Sequence, residues 1–263
     1  ANGRISWMAF PFQGDRMRLQ LCTWPEVEAR LAKSTGIIVP IGSTEQHGPN
    51  GLLGTDAICP EVVAEAAAER IDALVAPTIS IGMAQHHLGF PGTISLRPDT
   101  LIAVVRDVVQ SLARHGFREI YFLNGHGGNV ATVQAAFAQY NAEASFSGVE
   151  GPGPRLKIAN WFAGKRVGAL SQELFGESEG SHATPSEISL TWHAYPDRAQ
   201  PMDLEPKIAP KGPIADAFDY RRRFPDGRIG SDPSLASVEA GTRLFEASVE
   251  DTIEDYQAFL AAS

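Results

Sequence analysis

The sequence predicts an α/β protein, a three-layer α/β/α sandwich with a mostly parallel central sheet, in which residues 1–263 form one domain. Three observations carry this expectation. Four short apolar runs read as buried strands, longer amphipathic segments alternate with them, and a composition of 43% hydrophobic and 20% charged residues allows a substantial core. Strands alternating with helices imply βαβ units with right-handed crossovers and a sheet covered on both faces.

The first run, Gly36 to Ile41, is rich in Ile and Val, as a strand buried on both faces requires. A helix is predicted from Ala57 to Arg70 on the stripe of Val62, Val63 and Ala66, and a second strand from Ala73 to Ile79. The next helix, Asp99 to His115, repeats Leu101, Val104, Val105, Val108 and Leu112 at helical spacing and leads to a strand from Glu119 to Leu123. A helix from Val130 to Ala144 and a fourth strand from Leu156 to Ala159 follow, then a helix that starts near Pro185 and runs to about His193. From Pro201 to Asp232 the chain is rich in Pro, Gly and charge and reads as a long excursion over the surface, before a closing helix from about Ser234 to Ala261.

A net charge of -9 argues against a nucleic-acid partner, which needs clustered Lys and Arg. The one basic cluster, Arg221-Arg222-Arg223, reads as a solvated surface turn. Two cysteines, Cys22 and Cys59, are too few for a disulfide framework, and Cys59 reads as a buried structural thiol. No stretch reaches the roughly 20 apolar residues of a membrane span, and the segment around Trp7 to Phe10 is too short for a signal-peptide core, so a reducing cytoplasm is the expected location.

The first strand runs into Ser43-Thr44-Glu45-Gln46-His47-Gly48 and then Gly54-Thr55-Asp56. Sites in open α/β sheets form beyond the carboxyl ends of strands. In an extended segment Glu45 and His47 point to the same side, and a mixed oxygen and nitrogen donor set suits Zn, Mn or Fe(II). On these residues alone, Glu45 and Asp56 fit equally well as helix caps and His47 as a hydrogen-bonded loop histidine. The third strand ends in Asn124-Gly125-His126-Gly127-Gly128-Asn129, where a phosphate-cradling turn competes, although the Gly-x-Gly-x-x-Gly order is absent. His182 and Glu187 flank a helix start, where Glu187 could equally be a favourable first-turn acid. His86 and His87 could reach a pocket, His115 and His193 read as structural, and Trp161 reads as either core or pocket wall.

Together Glu45-Gln46-His47-Gly48, Thr55-Asp56, Phe90-Pro91-Gly92-Thr93, Asn124-Gly125-His126-Gly127-Gly128-Asn129 and His182 with Glu187 resemble the creatininase family, in order and over Ile37 to about Ser248. The resemblance implies a metal-dependent amidohydrolase with two divalent ions per subunit (Zn, Mn or Fe), acting on a small-molecule amide, cyclic amide or formamide through metal-activated water, and assembled as a homohexamer. It implies that Glu45, Asp56 and His126 hold one metal, that His47 and Asp56 hold the second with Asp56 bridging, and that His182 is the catalytic histidine. Creatinine-hydrolysing members resemble a pattern with a glutamate where this chain has Gly128, and a tryptophan where it has Ser178. Glu187 is then the natural candidate to complete the second metal's shell and to act beside His182. Creatinine itself becomes doubtful as substrate, although creatinine amidohydrolase proper and a non-catalytic metal-binding relative remain the alternatives.

Overall fold

The computed structural model describes residues 17–148, 151 and 153–262. The segment read against a signal peptide lies outside the described residues. Four parallel strands, β1 (Gly36–Ile41), β2 (Leu74–Val75), β3 (Glu119–Asn124) and β4 (Arg155–Asn160), make one sheet in the order β2-β1-β3-β4. The main helices are α1 (Trp24–Leu31), α2 (Thr55–Ile71), α3 (Pro98–Arg114), α4 (Val130–Ser147), α5 (Lys165–Phe175), α6 (Pro185–Ala194), α7 (Ala217–Arg223) and α8 (Val238–Ala261).

The expected three layers are present, and the alternation of side chains along the central strands divides them. Ile37, Val39 and Ile41 of β1 and Ile120 and Phe122 of β3 pack with Leu101 and Val105 of α3 and Val133 and Phe137 of α4. Ile38, Tyr121 and Leu123 face the other way, against Val63 of α2, Val167 of α5, Leu190 of α6 and Leu244 and Val249 of α8. Every residue of β1 is buried, as its unbroken apolar run predicts, whereas edge strand β4 is half-buried throughout.

Several boundaries differ from expectation for local reasons. The second strand was expected from Ala73 to Ile79, but ladder pairing is confined to Leu74–Val75. Pro77 has no N–H, and the chain beyond it keeps contact with β1 only through isolated bonds such as Ile79 N–H to the Pro40 carbonyl. Helix α8 begins at Val238, later than predicted, because Ser237 is its N-cap and accepts a hydrogen bond from the Ala240 amide, leaving Pro233–Leu235 as a separate 3-10 turn. The arginine run is not a turn: Arg221, Arg222 and Arg223 form the exposed last turn of α7, where Arg222 and Arg223 both pair with Asp219.

The excursion from Pro201 to Asp232 also departs from the surface path expected of it. Its second half packs inward: Tyr220, Phe224, Arg228 and Ser231 are buried. Arg228 anchors it, donating to Asp226 and to the carbonyls of Pro206, Lys207 and Ser231, so that a fully buried guanidinium has polar partners around it.

Candidate metal centre and substrate cavity

Strands β1 and β3 run parallel with Ile41 opposite Asn124, so both carboxyl ends open on the same edge of the sheet. The segment leaving β1 delivers Glu45 and His47, and the segment leaving β3 delivers His126. Helix α2 presses its first turn onto this edge because Gly42 and Gly125 have no side chains: a Cβ at either would lie 2.0 Å from the Asp56 carbonyl oxygen. Asp56 is therefore a helical residue held between the two strand ends. Two asparagines fix the turn after β3. Asn124 Nδ2 donates to the His126 carbonyl and Asn129 Nδ2 donates to the Gly42 carbonyl.

The fourth contribution comes from the start of α6. Thr184 and Glu187 form a reciprocal cap, with Thr184 N–H donating to Glu187 Oε1 at 2.6 Å and Glu187 N–H donating to Thr184 Oγ1 at 3.2 Å. The helix-start reading of Glu187 is correct for that oxygen, but Oε2 turns inward to 3.9 Å from His47 Nε2. Between His182 and this cap, buried Ala183 adopts φ 52°, a conformation uncommon outside glycine that occurs here beside a candidate catalytic group.

The side chains converge as two triplets. Glu45, Asp56 and His126 form one, with His126 Nδ1 3.0 Å from Asp56 Oδ2 and 3.3 Å from Glu45 Oε1. His47, Asp56 and Glu187 form the other, with His47 Nε2 3.1 Å from Asp56 Oδ1. Within each triplet the possible donor atoms all lie within 4.8 Å of one another. The outer ring nitrogens are held by acceptors: His126 Nε2 lies 2.9 Å from the Met83 carbonyl and His47 Nδ1 lies 3.1 Å from the Glu45 carbonyl. A carbonyl only accepts, so each outer nitrogen carries a proton and each inner one is left to bind a cation. Glu45 Oε1 and Oε2 and Asp56 Oδ2 are buried and accept no hydrogen bond. Buried carboxylate oxygens so left are costly without a positive partner, and the donor set fits a divalent transition metal.

Burial and mutual charge set the proton affinities. Burial, reinforced by Asp56, raises Glu45 to about 8. Burial alone would lower both inner imidazoles, but the carboxylates outweigh it and raise His47 to about 10 and His126 to about 9. Asp56 feels burial in the opposite direction, yet the two imidazoles hold it well below the usual carboxylate range. Burial raises Glu187 to about 7. At pH 7 the protons on Glu45, His47 and His126 therefore compete with any cation for the same lone pairs. Loading with Zn²⁺ or Mn²⁺ is expected to release about three protons per chain, with affinity rising as pH increases from about 7 toward 10. Calorimetry in two buffers of different ionisation enthalpy measures this, and metal uptake without proton release would contradict it.

His182 lies beside both triplets but makes a different set of contacts. Its Nε2 is 2.8 Å from the Gln46 carbonyl and its Nδ1 is 3.8 Å from Glu45 Oε1. Burial, with the His47 charge, lowers its pKa well below the ordinary histidine value, so its inner nitrogen is a free proton acceptor. His87 also belongs to the site, with Nε2 3.1 Å from Glu45 Oε1. Gly48 N–H donates to Gln46 Oε1, which orients the Gln46 amide so that Nε2 donates to His87 Nδ1 and to the Gly227 carbonyl. His87 Nε2 consequently carries a proton, so Glu45, His87 and His182, although close enough to form a third group, lack a His87 lone pair for a cation. His115 and His193 lie outside the site, one at the end of α3 and the other against Phe245 and Thr242.

The sequence reading gave Gln46 no role of its own, although it lies in the Glu45-Gln46-His47-Gly48 motif, and missed Tyr220 and Gly227 as parts of the site. Tyr220 donates to the Gly227 carbonyl at 2.7 Å and packs its ring against His87 and Phe90. Ser231 donates to the His182 carbonyl, and His182 bridges Ile229. The supposed surface excursion thus holds the outer wall of the site. Its only signal was a set of aromatic residues in a polar segment.

A cavity of about 440 Å³ adjoins the centre, with Asp56, His126, His182 and Glu187 in its wall. Trp161, whose role was open, both packs in the core and lines this cavity together with Phe162. Gly128 sits behind His126, where a Cβ would lie 2.4 Å from Nε2 and 2.9 Å from the Met83 carbonyl oxygen. A side chain at this position would have to displace the contact that orients His126.

A parallel sheet whose carboxyl edge carries a buried carboxylate and imidazole centre beside an open cavity defines a metal-dependent hydrolase of the α/β class. A family model named Creatininase and described as creatinine amidohydrolase matches residues 20–256, and the chain belongs to the creatininase family. It is 30% identical over 241 residues to creatinine amidohydrolase of Pseudomonas putida, covering 87% of this chain and 91% of that protein. It is 39% identical over 235 residues to mycofactocin precursor peptide peptidase of Mycolicibacterium smegmatis, covering 84% and 85%. A solved structure described as creatininase Mn superposes with a TM-score of 0.80 at 28% identity, over 93% of this chain and 98% of that one.

Proposed function

We propose that this chain hydrolyses the carbon–nitrogen bond of a small amide, cyclic amide or formamide at a centre of two divalent cations, Zn, Mn or Fe. One observation carries the reading: two ligand triplets share Asp56, one through each carboxylate oxygen. Glu45, Asp56 and His126 would hold one cation, and His47, Asp56 and Glu187 the other. Cations held there supply Lewis acidity and activate water at neutral pH. His182 Nδ1 takes a proton from the attacking water and returns it to the departing nitrogen, while the Gln46 carbonyl fixes the ring through Nε2. Trp161 and Phe162 wall the cavity and limit water beside the scissile bond.

Creatinine is not the preferred substrate in this reading. Gly128 removes an acid from the centre and moves the ligand role to Glu187, and a displacement of about 1 Å in such a site can cost on the order of a hundredfold in rate. Ser178 stands where the creatinine-hydrolysing pattern has tryptophan. The second reading, creatinine amidohydrolase proper, draws support from Trp161 and Phe162, which offer an aromatic surface from another part of the chain. The peptide peptidase relative argues for short peptides in the substrate panel. By family likeness the chain is a homohexamer, and sedimentation reads that directly. Among the described residues no helix is long and apolar enough to cross a membrane.

Elemental analysis and a panel of lactams, formamides, short peptides and creatinine test the proposal. We expect about two equivalents of metal per chain, loss of turnover on chelation, and kcat/KM at least about tenfold higher on another amide than on creatinine. Turnover that survives complete metal removal would refute the mechanism. Creatinine with the highest kcat/KM in the panel would refute the substrate reading.

A further inference from the structure

The cavity beside the centre is larger than a compact amide requires. Its volume of about 440 Å³ lies in the range of roughly 300 to 1,000 Å³ that holds drug-sized ligands, and only the part of its wall with Asp56, His126, His182 and Glu187 belongs to the chemistry above. Another part is built by one face of α5, with Val167, Gly168, Ser171 and Gln172, and by Phe162 in the 3-10 turn just before it. Phe162 is 39% exposed, whereas Trp161, edge-on to it with ring centroids 5.7 Å apart, is 2% exposed and belongs to the core. Phe162 therefore leaves apolar surface uncovered in the wall. Gly168 has no local reason to be glycine. It is the fourth residue of α5, its N–H donates to the Gly164 carbonyl at 2.9 Å, and outside its own helix a Cβ there would meet no atom within 4 Å. Gly125 and Gly180 in the same wall differ, the first pressed against the Asp56 carbonyl and the second at φ 69°. Glycine inside a helix costs stability relative to alanine, so what the missing side chain of Gly168 provides is room in the cavity.

We infer that the substrate carries an aromatic ring away from the bond cleaved, and that this ring lies against Phe162 in the space left by Gly168, making these two residues determinants of specificity. A ring seated there covers the apolar surface that Phe162 leaves open. Offset or edge-to-face contact between two aromatic rings adds to what area burial alone supplies, which favours an aryl group over an alkyl group of similar size. The inference rests on the amidohydrolase reading for what is cleaved, but the recognition it describes can be measured without turnover.

The probes are phenylacetamide, 3-phenylpropionamide and 4-phenylbutyramide, each compared with the same amide lacking the ring. Calorimetric titration of the Zn²⁺-loaded full chain is expected to show at least one arylamide binding at least about tenfold more tightly than its ring-free counterpart. Gly168→Leu, which fills the space, is expected to reduce that preference to within about twofold. Gly168→Ala is expected to lower it partway while raising the melting temperature by about 1 to 4 °C, as removal of a helix glycine does where packing permits it. The cyclohexyl analogue of the best arylamide is expected to bind no more tightly than the phenyl compound. Equal affinities within every pair, no binding of any probe, a preference that survives in Gly168→Leu, a melting temperature that does not rise in Gly168→Ala, or tighter binding of the cyclohexyl analogue would each overturn the inference. The comparison within the unmodified protein needs no variant to fold. If two metals are present and small amides are cleaved while each pair binds alike, the seating of a ring fails and the proposed function stands. If metal content or hydrolysis fails while the preference persists, the reverse holds.

Discussion

Replacing Asp56 with alanine is expected to empty both metal positions together, lowering bound metal from about two equivalents per chain to a small fraction of one and reducing turnover at least on the order of a thousandfold. The reason is geometric. Asp56 is the only residue common to the two bridging triplets, with Oδ1 3.1 Å from His47 Nε2 and Oδ2 3.0 Å from His126 Nδ1. Its loss also removes the negative charge that most opposes burial of the His47 imidazole. Catalysis would fall back on bulk water, whose pKa is about 15.7 against about 7 for a suitably held metal-bound one. Asp56→Asn, of nearly the same volume, controls for packing at the first turn of α2, and circular dichroism reports whether either variant folds. Retention of one full equivalent of metal by Asp56→Ala would mean that the carboxylate does not bridge.

His182→Ala is expected to lower kcat by about 10² to 10⁴-fold while metal content stays unchanged. His182 is absent from both bridging triplets, and its Nε2 is committed to the Gln46 carbonyl. What remains is a partly buried, neutral imidazole with one free nitrogen in the cavity wall, suited to carrying a proton between water and the leaving nitrogen. Elemental analysis alongside steady-state kinetics separates the possibilities. Loss of metal in step with activity would make His182 a ligand, and a kcat within about threefold of the unmodified enzyme would remove it from the proton path.

The sequence alone determined the scaffold and the ingredients of the centre. Buried apolar runs and helical apolar spacing declare themselves locally, so the four strands, the parallel sheet with its two covered faces and helices α2, α3, α4, α6 and α8 were legible, whereas α1, α5 and α7 were not foreseen. Glu45, His47, Asp56 and His126 stood out as candidates because they follow strand ends, whereas His182 and Glu187, at a helix start, were drawn in by the family resemblance. What the tertiary structure decided was how these residues are held. Gly42 and Gly125 admit the backbone of Asp56, a close approach between segments far apart in sequence. The Met83 and Glu45 carbonyls set which imidazole nitrogens face inward. Glu187, which by sequence could be either a helix-start acid or a site residue, serves both purposes because its two oxygens face different ways. The segment from Pro201 to Asp232 was misread as surface because composition reports average polarity, whereas Tyr220, Phe224 and Arg228 bury individually against the site. Local periodicity is written in neighbouring residues. The wall of a cavity is made by contacts between residues far apart in sequence, such as Met83 with His126, 43 positions apart, and Gln46 with Gly227, 181 positions apart, and these exist only once the chain has folded.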